Sequence, residues 1–316
     1  MTAMTAMTAL SAPYREGVGG WFLIGAPWDC SGTNRAEMLA PRALREAGLG
    51  RLVDADLGDA AVVIGSSRRD EATGVRALAD TIAAARALAT TLWTGIRENS
   101  PLRPLVAGGD CSLLLGVFAG ARAARGDMGL WMVDGHPDYL DAAGSDTGET
   151  ADLELAVLTG DGPRSLTGLG GAVPMVAARH VALIGHRAAG LDPAAAAELA
   201  RVPGELFTLD ARAVVDDPEA AGRRAARWAD RLRIPMWLHI DVDVLDPSVL
   251  PAVTYPQAGG PDLDQLAAVL TPLAASPGLV GVSVADFRPD LDPDGTQAAA
   301  LVALLDRVLP RAGLDE

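Results

Sequence analysis

Two short motifs carry most of the side chains that could do chemistry. In "WMVDGHPDYL" an apolar run leads into Asp134, His136 and Asp138 at alternate positions, and "HIDVDVLDPS" places Asp241 and Asp243 two residues apart. Residues two apart on an extended strand project to the same side, so each motif would present its charged groups together. Carboxylates on one face of an apolar strand repel each other and lose hydration, and a bound divalent cation relieves both costs.

Each motif alone also has a simpler interpretation. Asp241 and Asp243 could cap a turn beyond the strand, and Gly135 and Pro137 could place the other motif in a solvated loop. Together the motifs supply four carboxylates and one imidazole, a set that suits Mn²⁺. Because two metal ions that share carboxylates can hold a hydroxide between them, the hypothesis is a two-metal hydrolytic site.

The elements that must position these motifs alternate along the chain. Strands are predicted in "GWFLIGAP", "PLVAGGD", "LWMVDGH", "HVALIGH", "ELFTLD", "MWLHIDVD" and "LVGVSVAD". Helices with one apolar face are predicted over 75–99, 112–125, 218–233, 263–275 and 297–308. Apolar strands separated by helices indicate an α/β fold with a mostly parallel sheet covered on both faces. Ligands bind beyond the carboxyl ends of such strands, which is where the acidic motifs lie.

The 316-residue chain shows no linker or shift in composition, which favours a single catalytic domain over residues 13–316. Residues 1–12 repeat "MTA" and lack the charged and apolar regions of a signal peptide, so they are predicted to form a disordered tail. With two cysteines and no long apolar run, the sequence predicts neither a disulfide framework nor a membrane span, and a cytoplasmic location.

Charge and composition exclude several classes of function. The formal net charge of −15 argues against nucleic acid and anionic membrane as partners, and is compatible with a small cationic substrate. The sequence contains no lysine, which excludes enzymes that form a Schiff base through lysine and proteins with a P-loop.

Three motifs resemble the metal-binding motifs of the ureohydrolases, the arginase and agmatinase family. The chain reads "GGDCS", "DGHPD" and "DVDVLDP" where the usual family forms are GGDHS, DAHxD and SxDxDxxDP. "IGAPWDCSG", "APRALREAGL", "DADLGD" and "DFRPDLDPDGT" resemble further family segments in the same order. The resemblance therefore covers most of the chain and is specific for the superfamily.

The resemblance implies a three-layer α/β/α, arginase-like fold and a site for two metal ions, usually manganese. A hydroxide between the metals would attack the planar carbon of a guanidinium, and Asp138 would pass a proton to the departing amine, which gives urea and an amine. The ligands implied by the resemblance are Asp134 and Asp241 as bridges, Cys111 and Asp138 at one metal, and His136 and Asp243 at the other.

Cys111 departs from the family pattern, which has histidine at that position. A thiolate favours Zn²⁺ or Fe²⁺ over Mn²⁺, so one metal could differ in identity, be held loosely or be missing. Cys111 could instead be a small buried residue without a role at the metal. The family branch with GGDCS is associated with modified guanidines such as N-hydroxyarginine.

Three further departures concern the substrate. Asp286 stands where the family has a glutamate facing the guanidinium, and it could instead pair with Arg288. In "TGETADLEL", Glu149 replaces the family's amino-acid-binding asparagine and Ala151 replaces its proton-shuttle histidine. Nothing carried over therefore selects L-arginine; Glu149 would suit a second cationic group, or it could be a solvated loop carboxylate.

The leading hypothesis is a metal-dependent amidinohydrolase with Asp138, Asp286 and Glu149 at the substrate, acting on an arginine derivative or an agmatine-like compound. A second hypothesis makes Cys111 a metal-free nucleophile with His136 as its base. A third is a catalytically inactive relative that only binds a ligand. The remaining histidines, His180, His186 and His239, are interpreted as structural residues, and His186 or His239 could replace the missing shuttle. The resemblance also implies a homo-oligomer, a trimer or hexamer.

Overall fold

A computed structural model describes residues 19–310, so the predicted tail over residues 1–12 lies outside the described residues. Within that range an eight-stranded, all-parallel sheet runs in the order β2-β1-β3-β8-β7-β4-β5-β6. The strands are β1 (Trp21–Ala26), β2 (Ala55–Asp59), β3 (Arg103–Gly108), β4 (Gly129–Val133), β5 (Val181–Ile184), β6 (Phe207–Leu209), β7 (Met236–Asp241) and β8 (Leu279–Ala285).

Helices cover both faces of this sheet and bury a separate apolar layer against each. Along β7, Met236, Leu238 and Ile240 pack into one layer and Trp237 into the other, as the alternation of a strand requires. The helices are α1 (Ala40–Glu46), α2 (Leu78–Glu98), α3 (Leu113–Arg125), α4 (Glu154–Leu158), α5 (Arg164–Thr167), α6 (Pro193–Leu199), α7 (Ala211–Asp216), α8 (Pro218–Leu232), α9 (Leu263–Ala274) and α10 (Thr296–Val308).

The three-layer α/β/α prediction is confirmed. Helices α1, α8, α9 and α10 lie on one face, and α2, α3 and α4 lie on the other. No helix in the described part of the chain has both the length and the apolar character needed to cross a membrane.

All seven predicted strands and all five predicted helices are present. The structure also contains one edge strand and five short helices that were not predicted, namely β2, α1, α4, α5, α6 and α7, and some helix ends differ. Strand β2 was not predicted because "ADLGD" is acidic and contains glycine, both rare in strands. Pairing with β1 holds it in place, and Arg45 of α1 binds Asp56 and Asp59. Helix α2 starts at Leu78 because Ala77 has a φ of 50°.

Helices α2 and α3 approach closely because glycines face α2. A Cβ on Gly120 would lie 2.5 Å from the carbonyl oxygen of Ala89, and one on Gly116 would lie 2.7 Å from that of Ala85. These contacts place α3, and therefore the turn that precedes it, against the sheet.

Candidate metal centre and active site

The candidate site lies at the carboxyl ends of four neighbouring strands, β3, β8, β7 and β4. Cys111 follows β3, Asp134 follows β4, Asp241 ends β7 and Asp286 follows β8. The side chain of Asp110 holds the turn after β3, since it accepts hydrogen bonds from the backbone N–H of Ser112 and of Cys30. The sheet thus brings together residues that are up to 175 positions apart in the sequence.

The first group of potential metal ligands consists of Asp134, His136 and Asp243, whose ligand atoms lie within 4.8 Å of one another. His136 Nδ1 is 2.8 Å from Asp243 Oδ2, and the backbone N–H of His136 donates to Asp134 Oδ1 at 2.7 Å. Burial alone would lower the pKa of His136, but the carboxylates of Asp243 and Asp134 raise it to about 9. A cation that bound here would displace that proton.

The second group consists of Asp134, Asp138 and Glu154, again within 4.8 Å. Glu154 is fully buried at the start of α4, and neither its two carboxyl oxygens nor Asp134 Oδ2 has a hydrogen-bond partner. Burial, reinforced by the neighbouring carboxylates, raises the pKa of each of the three well above its usual value. Oxygens buried in this way without a donor are what a cation site requires.

The third group surrounds Cys111, which has no exposed surface. Its Sγ lies 2.9 Å from His239 Nε2 and 3.0 Å from Asp241 Oδ2. Cys111 belongs to two groups whose ligand atoms lie within 4.8 Å of one another, one with Asp134 and His239 and one with Asp241 and Asp286. Burial and the charge of Asp241 raise the pKa of the Cys111 thiol well above its usual value. Burial likewise raises the pKa of Asp286, to about 7. The imidazole next to Cys111 is therefore His239, and His136 pairs with Asp243 instead.

These groups fit the pair of divalent cations that the resemblance implies. Asp134 belongs to the groups of His136, of Glu154 and of Cys111, so its two oxygens can serve two ions. Its unpartnered Oδ2 and the two unpartnered oxygens of Glu154 are buried acceptors that no protein donor satisfies, and they are available as metal ligands.

A cavity of about 190 Å³ opens onto this cluster. Its walls are strongly acidic, and within its lining Arg35 is the one arginine. The cavity is lined by Arg35, Glu37, His136, Asp138, Leu140, Thr147, Glu149, Ala151, Asp152, Glu198, Asp241, Asp243, Tyr255 and Asp286.

The structure resolves two alternatives for cavity residues. Glu149 is not a solvated loop carboxylate, because it is 6% exposed and its Oε2 accepts from Arg35 at 2.5 Å. Its charge is thus matched inside the protein, although burial still raises its pKa. Arg288 pairs with Asp290 at 2.7 Å, which leaves the cavity side of Asp286 to a ligand.

Sequence reasoning missed Glu154 and Arg35, and it interpreted His239 as a structural residue or a replacement shuttle, not as a neighbour of Cys111. Glu154 carries a visible signal, a carboxylate inside the apolar run "LELAVL". His239 lies two residues before Asp241, and Asp241 lies two residues before Asp243. The same spacing argument could therefore have assigned His239 to the face of the strand that carries Asp241. Arg35 carries no signal, because its role depends on the approach of Glu149 from a distant segment and on the turn of its own loop that brings Asp29 back to it.

Comparison with known proteins agrees with this geometry. The sequence profile of the arginase family matches residues 20–309. The arginase of Brevibacillus brevis is 28% identical over 295 residues, which cover 90% of this chain and 96% of the relative. The arginase structure from Bacillus caldovelox superimposes with a TM-score of 0.82 at 28% identity, covering 92% of this chain and 98% of that one. The Bacillus cereus arginase structure gives a TM-score of 0.79 at 26% identity, covering 91% and 97% of the two chains.

The match extends over nearly the whole described chain, and it includes the strand ends that carry the acidic cluster. This chain belongs to the arginase family, hydrolases that act on C–N bonds of linear amidines.

Proposed function

We propose that this chain is a metal-dependent amidinohydrolase that cleaves a small cationic guanidino compound to urea, or hydroxyurea, and an amine. The observation that carries the proposal is the acidic cavity of about 190 Å³ that opens directly onto the buried carboxylate cluster. A guanidinium entering this cavity would be attracted by the carboxylates along its walls and would reach the strand ends where metal ions can bind.

Arginase-family enzymes bind a dinuclear metal centre, and the donors here suit one. The proposed ligands follow the family pattern, with Asp134 and Asp241 shared between the ions, Cys111 and Asp138 at the first, and His136 and Asp243 at the second. The carboxylates favour Mn²⁺, while Cys111 favours Zn²⁺ or Fe²⁺ at the first position. When bound, the metals supply a water-derived nucleophile at neutral pH.

The protein's own residues bind the substrate and move the proton. Asp286 faces the cavity, and its carboxylate would accept hydrogen bonds from the guanidinium N–H groups. Asp138 lines the same cavity and lies beside Asp134 and Glu154, where it would carry a proton to the departing amine nitrogen. Water adds to the guanidinium carbon, the C–N bond to the amine breaks, and urea and the amine leave.

The cavity lining favours a decarboxylated guanidine over L-arginine. The Arg35 guanidinium already contacts Asp29 at 3.1 Å and Glu149 at 2.5 Å, so a substrate carboxylate would have to compete with both. Ala151 leaves no shuttle histidine at its position. Agmatine-like compounds, which lack that carboxylate, are therefore the substrates that the cavity favours, and N-hydroxyarginine, which keeps it, is expected from the resemblance to the GGDCS branch of the family.

The test is release of urea or hydroxyurea from L-arginine, N-hydroxyarginine and agmatine by protein loaded with Mn²⁺, Zn²⁺, Fe²⁺ or Co²⁺. Asp286→Asn should lower kcat/KM by about 100-fold or more, because a charge-assisted pair with the guanidinium is lost. Asp216→Asn, at an exposed carboxylate paired with Arg212, is the matched control and should retain full activity. Turnover that survives complete chelation would refute the proposal.

The cysteine-nucleophile hypothesis has one observation in its favour, the 2.9 Å contact between Cys111 Sγ and His239 Nε2. Both residues are completely buried, and neither lines the cavity. A substrate in the cavity would therefore meet Asp138, Asp241 and Asp286 before it met the sulfur. The inactive-relative hypothesis predicts that no guanidine in the panel yields urea with any of the four metals.

We further propose a cytoplasmic homo-oligomer, a trimer or hexamer, with one catalytic domain per chain. The family resemblance supports the oligomer. The cytoplasmic location is supported by the two cysteines, which are both free and buried. Sedimentation equilibrium would measure the oligomeric state, and a monomer at micromolar concentration would contradict this part of the proposal.

A further inference from the structure

His239 of β7 points its imidazole into the centre of the carboxylate cluster. Its Nε2 lies 2.9 Å from Cys111 Sγ, and Cys111, Asp134 and His239 offer ligand atoms that lie within 4.8 Å of one another. All three residues have no exposed surface. Asp134 Oδ2 has no hydrogen-bond partner, so this group contains a buried acceptor that no protein donor satisfies.

The other ring nitrogen of His239 is held by the neighbouring strand. Nδ1 lies 2.8 Å from Ser283 Oγ, and the Trp237 indole N–H donates to the same oxygen at 2.9 Å. His239 and Ser283 are paired in the register of β7 with β8, which fixes their relative position. A serine oxygen has two lone pairs and can accept from both N–H groups; in the tautomer with the proton on Nδ1, Nε2 keeps a free lone pair directed at the cluster. Metal-binding histidines usually donate their second N–H in this way.

The sequence motifs show an exchange of side chains at these two positions. The usual GGDHS has histidine where this chain has Cys111, and the usual SxDxDxxDP has serine where this chain has His239. The imidazole missing from the turn after β3 is thus supplied by β7, and the two side chains touch.

We propose that His239 is a metal ligand, and that Cys111, His239 and Asp134 together form a sulfur–nitrogen–oxygen site for a borderline-soft divalent cation such as Zn²⁺, Fe²⁺ or Co²⁺. The inference deepens the proposed function and rests on its two-metal centre. The neighbouring group of Asp134, His136 and Asp243 contains no sulfur and suits Mn²⁺. The two positions therefore differ in metal preference, and Asp134 connects them.

The experiment measures metal rather than turnover. Metal-free protein is loaded with Co²⁺, and excess metal is removed. The number of bound cobalt ions per chain and the absorption spectrum are then measured for wild type, His239→Ser, Cys111→His and the double variant. Wild type should bind about two equivalents with a thiolate-to-cobalt charge-transfer band, and His239→Ser should retain about one, with the band lost or strongly weakened. The double variant, which restores both family motifs, should regain about two equivalents without the band. His186→Ser, a buried histidine outside the cavity lining, is the matched control and should bind as wild type does.

Two outcomes overturn the assignment. If His239→Ser retains both equivalents and an unshifted charge-transfer band, His239 is not a ligand. If it retains both equivalents and the band merely shifts, His239 donates a hydrogen bond to the sulfur and is a positioning residue. The assay for urea release is independent of these readings. If no guanidine is hydrolysed but the cobalt results are as expected, the proposed function is wrong and the metal site stands. If a guanidine is hydrolysed but His239→Ser binds cobalt as wild type does, the proposed function stands and His239 is not a ligand.

Discussion

Removal of metal should make the stability of this protein fall as the pH rises from 7 to 9. In the chelated protein the pKa of His136 is raised to about 9 by Asp243 and Asp134, against 6.5 in the unfolded chain. A histidine with a raised pKa stabilises the folded state most fully below its unfolded pKa, and the stabilisation is lost as the pH passes through the folded pKa. Asp286, with a pKa of about 7, and the buried Cys111 thiol act in the same direction.

The magnitude follows from the proton difference between the folded and unfolded states. Between pH 7 and 9 the folded protein still holds the His136 proton, to one half at pH 9, whereas the unfolded chain has largely lost it, and His136 alone therefore costs about 2 kcal/mol. This loss is a lower bound, because four buried carboxyls with raised pKa values add to it: Asp134, Asp138, Glu154 and Asp241. His186 and His239, whose pKa values are lowered to about 4 and about 3, oppose this only slightly, because both are neutral above pH 7 and the unfolded histidines are nearly so. An unfolding entropy of about 2 cal/mol/K per residue converts the loss into a Tm decrease of about 3 °C.

The assay is thermal unfolding in chelator at pH 7, 8 and 9, followed by circular dichroism and by calorimetry. His136→Asn should reduce the pH dependence, and metal-saturated wild type should not show it, because a bound cation keeps His136 deprotonated throughout. A chelated protein whose Tm rises by several degrees between pH 7 and 9 would refute the electrostatic reasoning.

Three further predictions concern single residues. Glu154→Gln should stabilise the chelated protein by about 1–3 kcal/mol, because one of three clustered carboxyls is removed. The same substitution should weaken metal binding about 10–100-fold, and a variant that is less stable than wild type in chelator would contradict the prediction. Gly120→Ala should lower the free energy of unfolding by about 1–3 kcal/mol through its contact with α2, whereas Gly50→Ala, in open space, should change it little; chemical denaturation measures both. Iodoacetamide should label Cys111 and Cys30 rapidly only after unfolding, because both are fully buried, and fast labelling of the native protein detected by mass spectrometry would contradict that burial.

The predictions from sequence succeeded where the pattern is local. Apolar runs such as "MWLHID" marked the central strands, and one-sided apolar spacing marked helices such as α8, since burial on one or both faces determines both patterns. Strand β2 was not predicted because its residues are mostly exposed and acidic. Its strand conformation comes from pairing with β1. Pairing at the edge of a sheet depends on the backbone of the neighbouring strand, so it leaves no alternation of apolar and polar residues in the edge strand itself.

The linear sequence was enough to predict the family, the fold class and the strand-end positions of four carboxylates, Asp134, Asp138, Asp241 and Asp243, because motif spacing and apolar periodicity are local properties of the chain. Which side chains contact one another follows from the folded arrangement of the strands. The order β3-β8-β7-β4 brings the turn after β3 to the end of β7, so Cys111 meets His239 and not His136. Contacts across strands depend on sheet order and register, which are set by the packing of the whole domain.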